Sequence, residues 1–329
     1  MEEFERTVII VAFDGATIMD IVSPAEVFEI AARYVARPTA RYNVKIVSEH
    51  GGQVRGWSGL SIATQPWSDL DDHPVDTIIV TGGAPPHDPP APAPVVAWLA
   101  ANAHRARRIC GACTGTFIMA AAGLVDAKRV TTHWQSTDLL QTRYASARVD
   151  PDPIFIRDGA IWTSAGFTAG IDVALALIED DEGHAVAMEV ARMLVMFLKR
   201  PGGQPQLSGS LSAQSSFDPD FSQLHGWIAD HLDEDLRVER LAERVGMAPR
   251  TFERNYVARL GRPPAKTVAS LRVEAACRLI LAADLSLKDI ARKTGFMTEQ
   301  NLRRTFQRLR GITPQQYRAQ AQAADGAAA

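Results

Sequence analysis

No stretch of this 329-residue sequence approaches the roughly 20 uninterrupted apolar residues that a membrane-spanning helix requires, which leaves no candidate span. The opening Met-Glu-Glu-Phe-Glu-Arg lacks the basic start and apolar run of a secretory signal. Cysteine is scarce. Three residues cannot build a disulfide framework, and a reducing cytoplasm is the expected home. Cys110 and Cys113 have C-x-x-C spacing, but a zinc site needs two further ligands and no second cluster exists. His50, His73, His87 and His104 show no ligand spacing either, so neither a metal nor another cofactor is expected.

What is present is an ordinary globular composition, 46% hydrophobic and 22% charged, on a chain long enough for two domains. The net charge of −3 hides a segregation. Residues 237–318 carry 18 Lys and Arg against 7 Asp and Glu, which leaves 17 against 31 elsewhere. One part of the chain is built for a polyanion and the rest is not.

Residues 7–198 alternate β-branched runs (7–13, 44–48, 77–81, 107–110) with helical stretches near 20–34, 95–102 and 116–122. That rhythm predicts a mostly parallel sheet covered by helices, with the Pro-rich loop 85–94 at a strand end where α/β proteins place binding loops. Residues 200–220, RPGGQPQLSGSLSAQSSFDPD, have no apolar periodicity and read as a flexible linker. The expected organisation is an α/β domain over 1–199, the linker over 200–220, a helical domain over 221–320, and a frayed tail over 321–329.

The helical part contains a repeat. Ala242 and Gly246 in one copy answer to Ala291 and Gly295 in the other; Phe252, Arg254 and Tyr256 answer to Leu302, Arg304 and Phe306. Each copy closes on Gly-x-x-Pro, at 261–264 and 311–314. A small Ala lets two helices cross closely, and Gly supplies the positive φ of a tight interhelical turn. The apolar positions hold the second helix of each copy down and leave a basic face free: Arg250, Arg254 and Arg259, then Arg303, Arg304 and Arg308. Arg suits phosphate oxygens and guanine edges. Two solvated helical hairpins with surface arginines would not explain why repetition and charge coincide. Between the copies, 265–283 reads as one helix that would fix the two units about one DNA turn apart, on the order of 34 Å.

On these residues, 221–318 resembles the DNA-binding domain of the AraC/XylS family, and GITPQQYR at 311–318 is close to that family's signature. The resemblance implies base-reading residues at Arg250 and Arg254 in the first unit, and at Glu299, Gln300, Arg303 and Arg304 in the second. The first unit departs from the family in having Ala248-Pro249 where a Ser cap is usual, although Pro is acceptable at the first helical position.

In the first domain, Gly111-Ala-Cys113-Thr-Gly115 has the G-x-C-x-G spacing of a nucleophile elbow between a strand and a helix. At a helix N-terminus the dipole favours a thiolate, so a lowered Cys113 pKa is expected. The glycines ending DTIIVTGG, Gly82 and Gly83, have amides that could face an anion. His133 follows the next strand and is either packed or functional. Cys110 and Cys277 read as core; Trp57, Trp67, Trp98 and Trp162 read as core or pocket wall.

Together with FDGATIMDIVSPAEVF and WTSAGFTAGIDVALALIE, these segments resemble the ThiJ/PfpI superfamily over residues 7–198, with a flavodoxin-like, glutamine-amidotransferase-like α/β fold. The pairing with an AraC-type tail resembles the GlxA group of bacterial regulators. The resemblance implies a reactive Cys113 with Asp20 as its acidic neighbour. In relatives that hydrate isonitriles the corresponding trio is Asp20, Cys113 and Thr114, complete here. An elbow also makes a ready pocket for an anion or carbonyl without turnover. The expectation is therefore not an enzyme but a homodimeric transcription regulator. It would bind a double-stranded operator, with RNA polymerase as a further partner, and a small effector near Asp20, Gly83, Cys113, Thr114 and His133. The rivals are an isonitrile hydratase or amidase-like cysteine enzyme, and a redox regulator acting through Cys113.

Overall fold

In the computed structural model the described residues are 5–34, 41–70, 74–196, 199–207, 219–260, 262–282, 285–310 and 312–318. The expected tail 321–329 and positions 208–218 of the expected linker lie outside them. The chain divides into two units after Gln206.

The first unit is built on strands β1 (Glu5–Val11), β2 (Arg41–Ser48), β3 (Gly52–Arg55), β4 (Ser61–Pro66), β5 (Val75–Val80), β6 (Ala106–Ala112), β9 (Phe155–Asp158) and β10 (Ile161–Ser164). They form one sheet in the order β3-β4-β2-β1-β5-β6-β10-β9. Pairing is parallel from β4 through β10 and antiparallel only at the two edges. β7 (Arg129–Val130) and β8 (Arg148–Val149) make a separate small ladder. β1 and β5 carry uninterrupted apolar runs because helices cover both faces, and Val8, Ile9, Ile10, Ile78 and Val80 are fully buried. The covering helices are α1 (Ile18–Tyr34), α2 (Ala93–Asn102), α3 (Gly115–Ala121), α4 (Thr137–Arg143), α5 (Thr168–Glu182) and α6 (His184–Met193). α1 packs on α5, an arrangement that matters for the site.

An ion-pair cluster closes the strand-start end of this sheet. Arg108, almost wholly buried, binds the buried Asp181 at 2.5 Å, and Arg107 bridges Asp76 and Asp181 at 2.8 and 2.6 Å. Of the four tryptophans read as core or pocket wall, Trp67 stacks on Trp98 at 5.3 Å and Trp162 is buried. Trp57 is 57% exposed and is therefore not core; its amide is tied to Ala16 O.

The expected linker begins instead as packed chain. Arg200 binds Asp172, the Gln204 carbonyl accepts from the Ile154 amide at 2.8 Å, and the half-buried Gln206 side chain bonds to Thr131 and Thr132. Low apolar content misled the reading, because polar side chains and backbone, not apolar burial, hold this segment.

The second unit contains α7 (Pro219–Asp230), α8 (Val238–Arg244), α9 (Pro249–Leu260), α10 (Pro264–Ala282), α11 (Leu287–Lys293) and α12 (Glu299–Arg310). Two apolar clusters fill it. One gathers Phe221, Leu224, Phe252 and Tyr256; the other gathers Ile290, Leu302, Phe306 and Tyr317. α10 supplies residues to both, Val268 and Leu271 to the first, Val273 and Ile280 to the second. It is the continuous connector that the sequence predicts.

Candidate functional site: a cysteine elbow and two exposed helix faces

β6 ends at Ala112 and α3 starts at Gly115, leaving Cys113 at a turn with φ 55°. That left-handed backbone is costly for a side-chain-bearing residue, and persists only where the surroundings over-determine it. They do so here. The Cys113 amide donates to Ser164 O at 2.9 Å, and the Cys113 carbonyl accepts from the Thr132 hydroxyl at 2.8 Å. The glycines around the elbow leave no room for side chains: a Cβ on Gly115 would sit 2.2 Å from Val80 O, and one on Gly166 2.2 Å from the Cys113 Cβ.

Asp20, on the first turn of α1, is fully buried beside the thiol. Its Oδ1 accepts from the Phe167 amide at 2.8 Å, while Oδ2 has no partner in hydrogen-bonding geometry. Burial pushes this carboxyl up to about 6, against the pull of the Phe167 and Gly82 amides and the Cys113 thiol. Burial, then the Asp20 charge, push the Cys113 thiol well up. The expected thiolate is thus overturned. Desolvation of a buried sulfur next to a carboxylate outweighs a helix dipole worth about 0.3–1 kcal/mol.

The Thr114 hydroxyl accepts from the Gly83 amide at 2.9 Å and donates to the Gly83 carbonyl at 2.8 Å. Gly83 therefore has no amide to spare for an anion, and the Gly82 amide favours the charge on Asp20. The Gly-Gly strand end fixes the elbow rather than presenting an anion nest. His133, half-buried and held neutral by burial, makes no hydrogen bond to the sulfur. Its ring lies 6.1 Å from Phe167 and 5.8 Å from Trp134, both partly exposed. Phe167, at φ 49° and partly exposed, and Thr132 are site residues that sequence reasoning did not single out. Phe167 carried one signal, its place between Gly166 and the start of a helix.

In the second unit the backbone bonds of the interhelical turn recur in both copies of the repeat. The Met247 amide donates to Ala242 O at 2.9 Å, as Phe296 does to Ala291 O at 2.8 Å. Phe252 donates to Ala248 O, as Leu302 does to Thr298 O. Gly246 and Gly295 have φ 66° and 71°, and Ala242 and Ala291 are fully buried at the crossings. Phe252, Tyr256, Leu302 and Phe306 face inward, leaving Arg250, Arg254, Gln300 and Arg304 exposed. Glu299 and Arg303 are half-buried and paired at 2.5 Å, and Arg303 also binds Gln315. In this form Arg303 is spent within the domain, unlike Arg254.

GITPQQYR has a physical role here. Thr313 and Gln316 cap each other reciprocally, Gln316 Oε1 accepting from the Thr313 amide and Thr313 Oγ1 from the Gln316 amide. Tyr317 then packs edge-on against Phe306 at 5.5 Å.

Residues 6–180, which hold the whole elbow, match the DJ-1/PfpI family. The chain belongs to the DJ-1/PfpI family. Residues 241–320 match a helix-turn-helix domain, so the two resemblances read from the sequence hold together in one chain. The HTH-type transcriptional regulator CdhR of Pseudomonas aeruginosa is 30% identical over 93% of this chain and 89% of its own length. An isonitrile hydratase of Pseudomonas putida is 34% identical, but over 46% of this chain and 64% of its own. Among solved structures, a ThiJ/PfpI family protein from Pseudomonas syringae superposes with a TM-score of 0.51 at 20% identity, over 74% of this chain and 91% of its own, which supports the fold. The hydratase likeness falls short of the tail, whereas the regulator likeness spans the chain. Among the described residues no helix is long and apolar enough to cross a membrane.

Proposed function

We propose that this DJ-1/PfpI-family chain is a sequence-specific, DNA-binding transcription regulator governed by a small molecule at its cysteine elbow. The observation that carries the DNA-binding half is the duplicated turn, with matched hydrogen bonds and an exposed Arg at the same place on each second helix, Arg254 and Arg304. Two such helices held by one connector suit adjacent major grooves. Arg250 and Gln300, also exposed, complete the reading faces. The chain acts as a homodimer on an operator, with RNA polymerase as its downstream partner.

The elbow is read as a binding site rather than a catalytic one. A neutral, buried thiol is a poor nucleophile, while a buried carboxylate with one oxygen outside strict hydrogen-bonding geometry invites a better-placed hydrogen-bond donor or cation. Asp20 and Cys113 would contact the effector, with Thr114 and Gly83 fixing the turn and His133 lining the way in. A duplex selected from a random pool by the full chain tests the DNA half. At fixed salt, Arg254→Ala and Arg304→Ala should each weaken it by about 1–3 kcal/mol. Unchanged affinity in both variants would remove this assignment. The elbow half is tested by a metabolite thermal-shift screen of the full chain, in which a hit must be lost in Asp20→Ala.

A further inference from the structure

Between the elbow and the helix-turn-helix unit lies a segment that makes more polar contacts than any linker needs. Lys199 pairs with Glu179 towards the end of α5. Arg200 then grips Asp172 on the same helix, its amide at 2.9 Å and its guanidinium at 2.8 and 2.5 Å, and reaches Thr168 Oγ1 at 3.1 Å. Asp172 is fully buried; burial pushes its carboxyl up, and Arg200, helped by Lys199, offsets only part of that rise. Further on, the Gly202 carbonyl accepts from the Phe155 amide and the Gln206 amide donates to Asp152 O. The Gln206 side-chain nitrogen ends among four oxygens, those of Thr131 Oγ1, Thr132 O, Pro151 O and Pro153 O, at 2.8–3.2 Å.

Both seats of this segment are one residue removed from the elbow. α5 begins directly after Phe167, whose amide holds Asp20. Thr132 holds Cys113 with its hydroxyl and Gln206 with its carbonyl. Phe167 is moreover an aromatic residue at φ 49°, a conformation that its bond to Asp20 helps to maintain.

We infer that residues 199–206 form a strap that couples the elbow to the DNA-binding unit. The inference rests on the proposed reading of the elbow as an effector site and adds how its state is transmitted. An effector that engages the Asp20 carboxylate draws it off the Phe167 amide. The strained Phe167 relaxes, the first turn of α5 shifts, and the Asp172–Arg200 grip loosens. The strap then leaves its seats, and the release of residues 199–206 changes how the helix-turn-helix unit that follows them in the chain is tethered.

Hydrogen-exchange mass spectrometry on the full chain, without ligand, tests this. Asp20→Ala removes the acceptor for the Phe167 amide and should speed exchange over 199–207 about tenfold. Asp20→Asn keeps an oxygen there and should exchange no faster than the wild type. Coupling is reciprocal, so Arg200→Ala, a change at a partly exposed residue, should raise the rate of Cys113 alkylation by a similar factor. Strap exchange in Asp20→Ala no faster than in the wild type, or Cys113 alkylation unchanged in Arg200→Ala, overturns the coupling. Either result leaves the effector reading to be decided by the metabolite screen.

Discussion

The amide of Phe167 donates to the carboxylate of Asp20 across 147 positions of sequence, at 2.8 Å. One hydrogen bond thereby ties the first turn of α1 to the loop that opens α5, directly over the Cys113 turn. The elbow is held from both sides, and its carboxylate is kept in a place it would otherwise leave for water.

That placement has a pH signature. Asp20 has its folded-state pKa raised to about 6, so the native state holds a proton that the unfolded chain has already released. Stability contributed through this group is therefore greatest at low pH and declines as pH rises from about 4 to about 6. Asp20→Asn cannot ionise. It should be more stable than wild type by about 3 kcal/mol at pH 7.5, with the advantage vanishing near pH 4. Urea unfolding of both proteins at the two pH values checks it; equal stability at pH 7.5 would contradict the assigned shift.

Cys113 should behave as a protonated thiol. Mass-spectrometric measurement of its alkylation by iodoacetamide should give a rate still climbing above pH 9, slower at pH 7 than an exposed thiol of pKa about 8.5 by at least about tenfold. A rate that levels off below pH 7 would restore the thiolate and favour the catalytic reading, with Asp20, Cys113 and Thr114 as its trio.

The two interhelical glycines look equivalent in the sequence and are not equivalent in the structure. A Cβ on Gly246 meets nothing within 4 Å, so Gly246→Ala should cost only its backbone strain, about 1–2 kcal/mol. A Cβ on Gly295 would lie 1.9 Å from Leu232 O and 2.6 Å from the Arg272 guanidinium, which itself binds the Leu232 and Glu234 carbonyls. Gly295→Ala should therefore cost about 3 kcal/mol or more, and should loosen the second interhelical turn from the Leu232 loop within the helical unit. Thermal unfolding of the two variants distinguishes them; equal losses would mean that the Leu232–Gly295 approach is not tight.

Most of the architecture was legible because it is written in local patterns. The apolar runs of β1 and β5, the repeat built on Ala242 and Ala291, and the glycines about Cys113 each state their structure within a few residues. What was not legible depends on long-range burial. The helix N-terminus beside Cys113 suggests a thiolate, and only the fold shows that the sulfur is buried against Asp20. Gly83 offers an amide in the sequence and gives it to Thr114 in the structure. Arg200–Gln206 reads as linker because its grip on Asp172, Ile154 and Thr132 is polar and non-local. Arg303 reads as a free cation until Glu299 and Gln315 are seen beside it.

The central claim is that α9 and α12 of one chain read neighbouring major grooves, and methylation interference on a selected duplex tests it most directly. The account predicts two clusters of interfering guanines for each bound chain, about 10 base pairs apart on one face of the helix. Arg254→Ala should erase one cluster and Arg304→Ala the other. A full chain that binds no duplex at low ionic strength, or a single cluster indifferent to both substitutions, would contradict it.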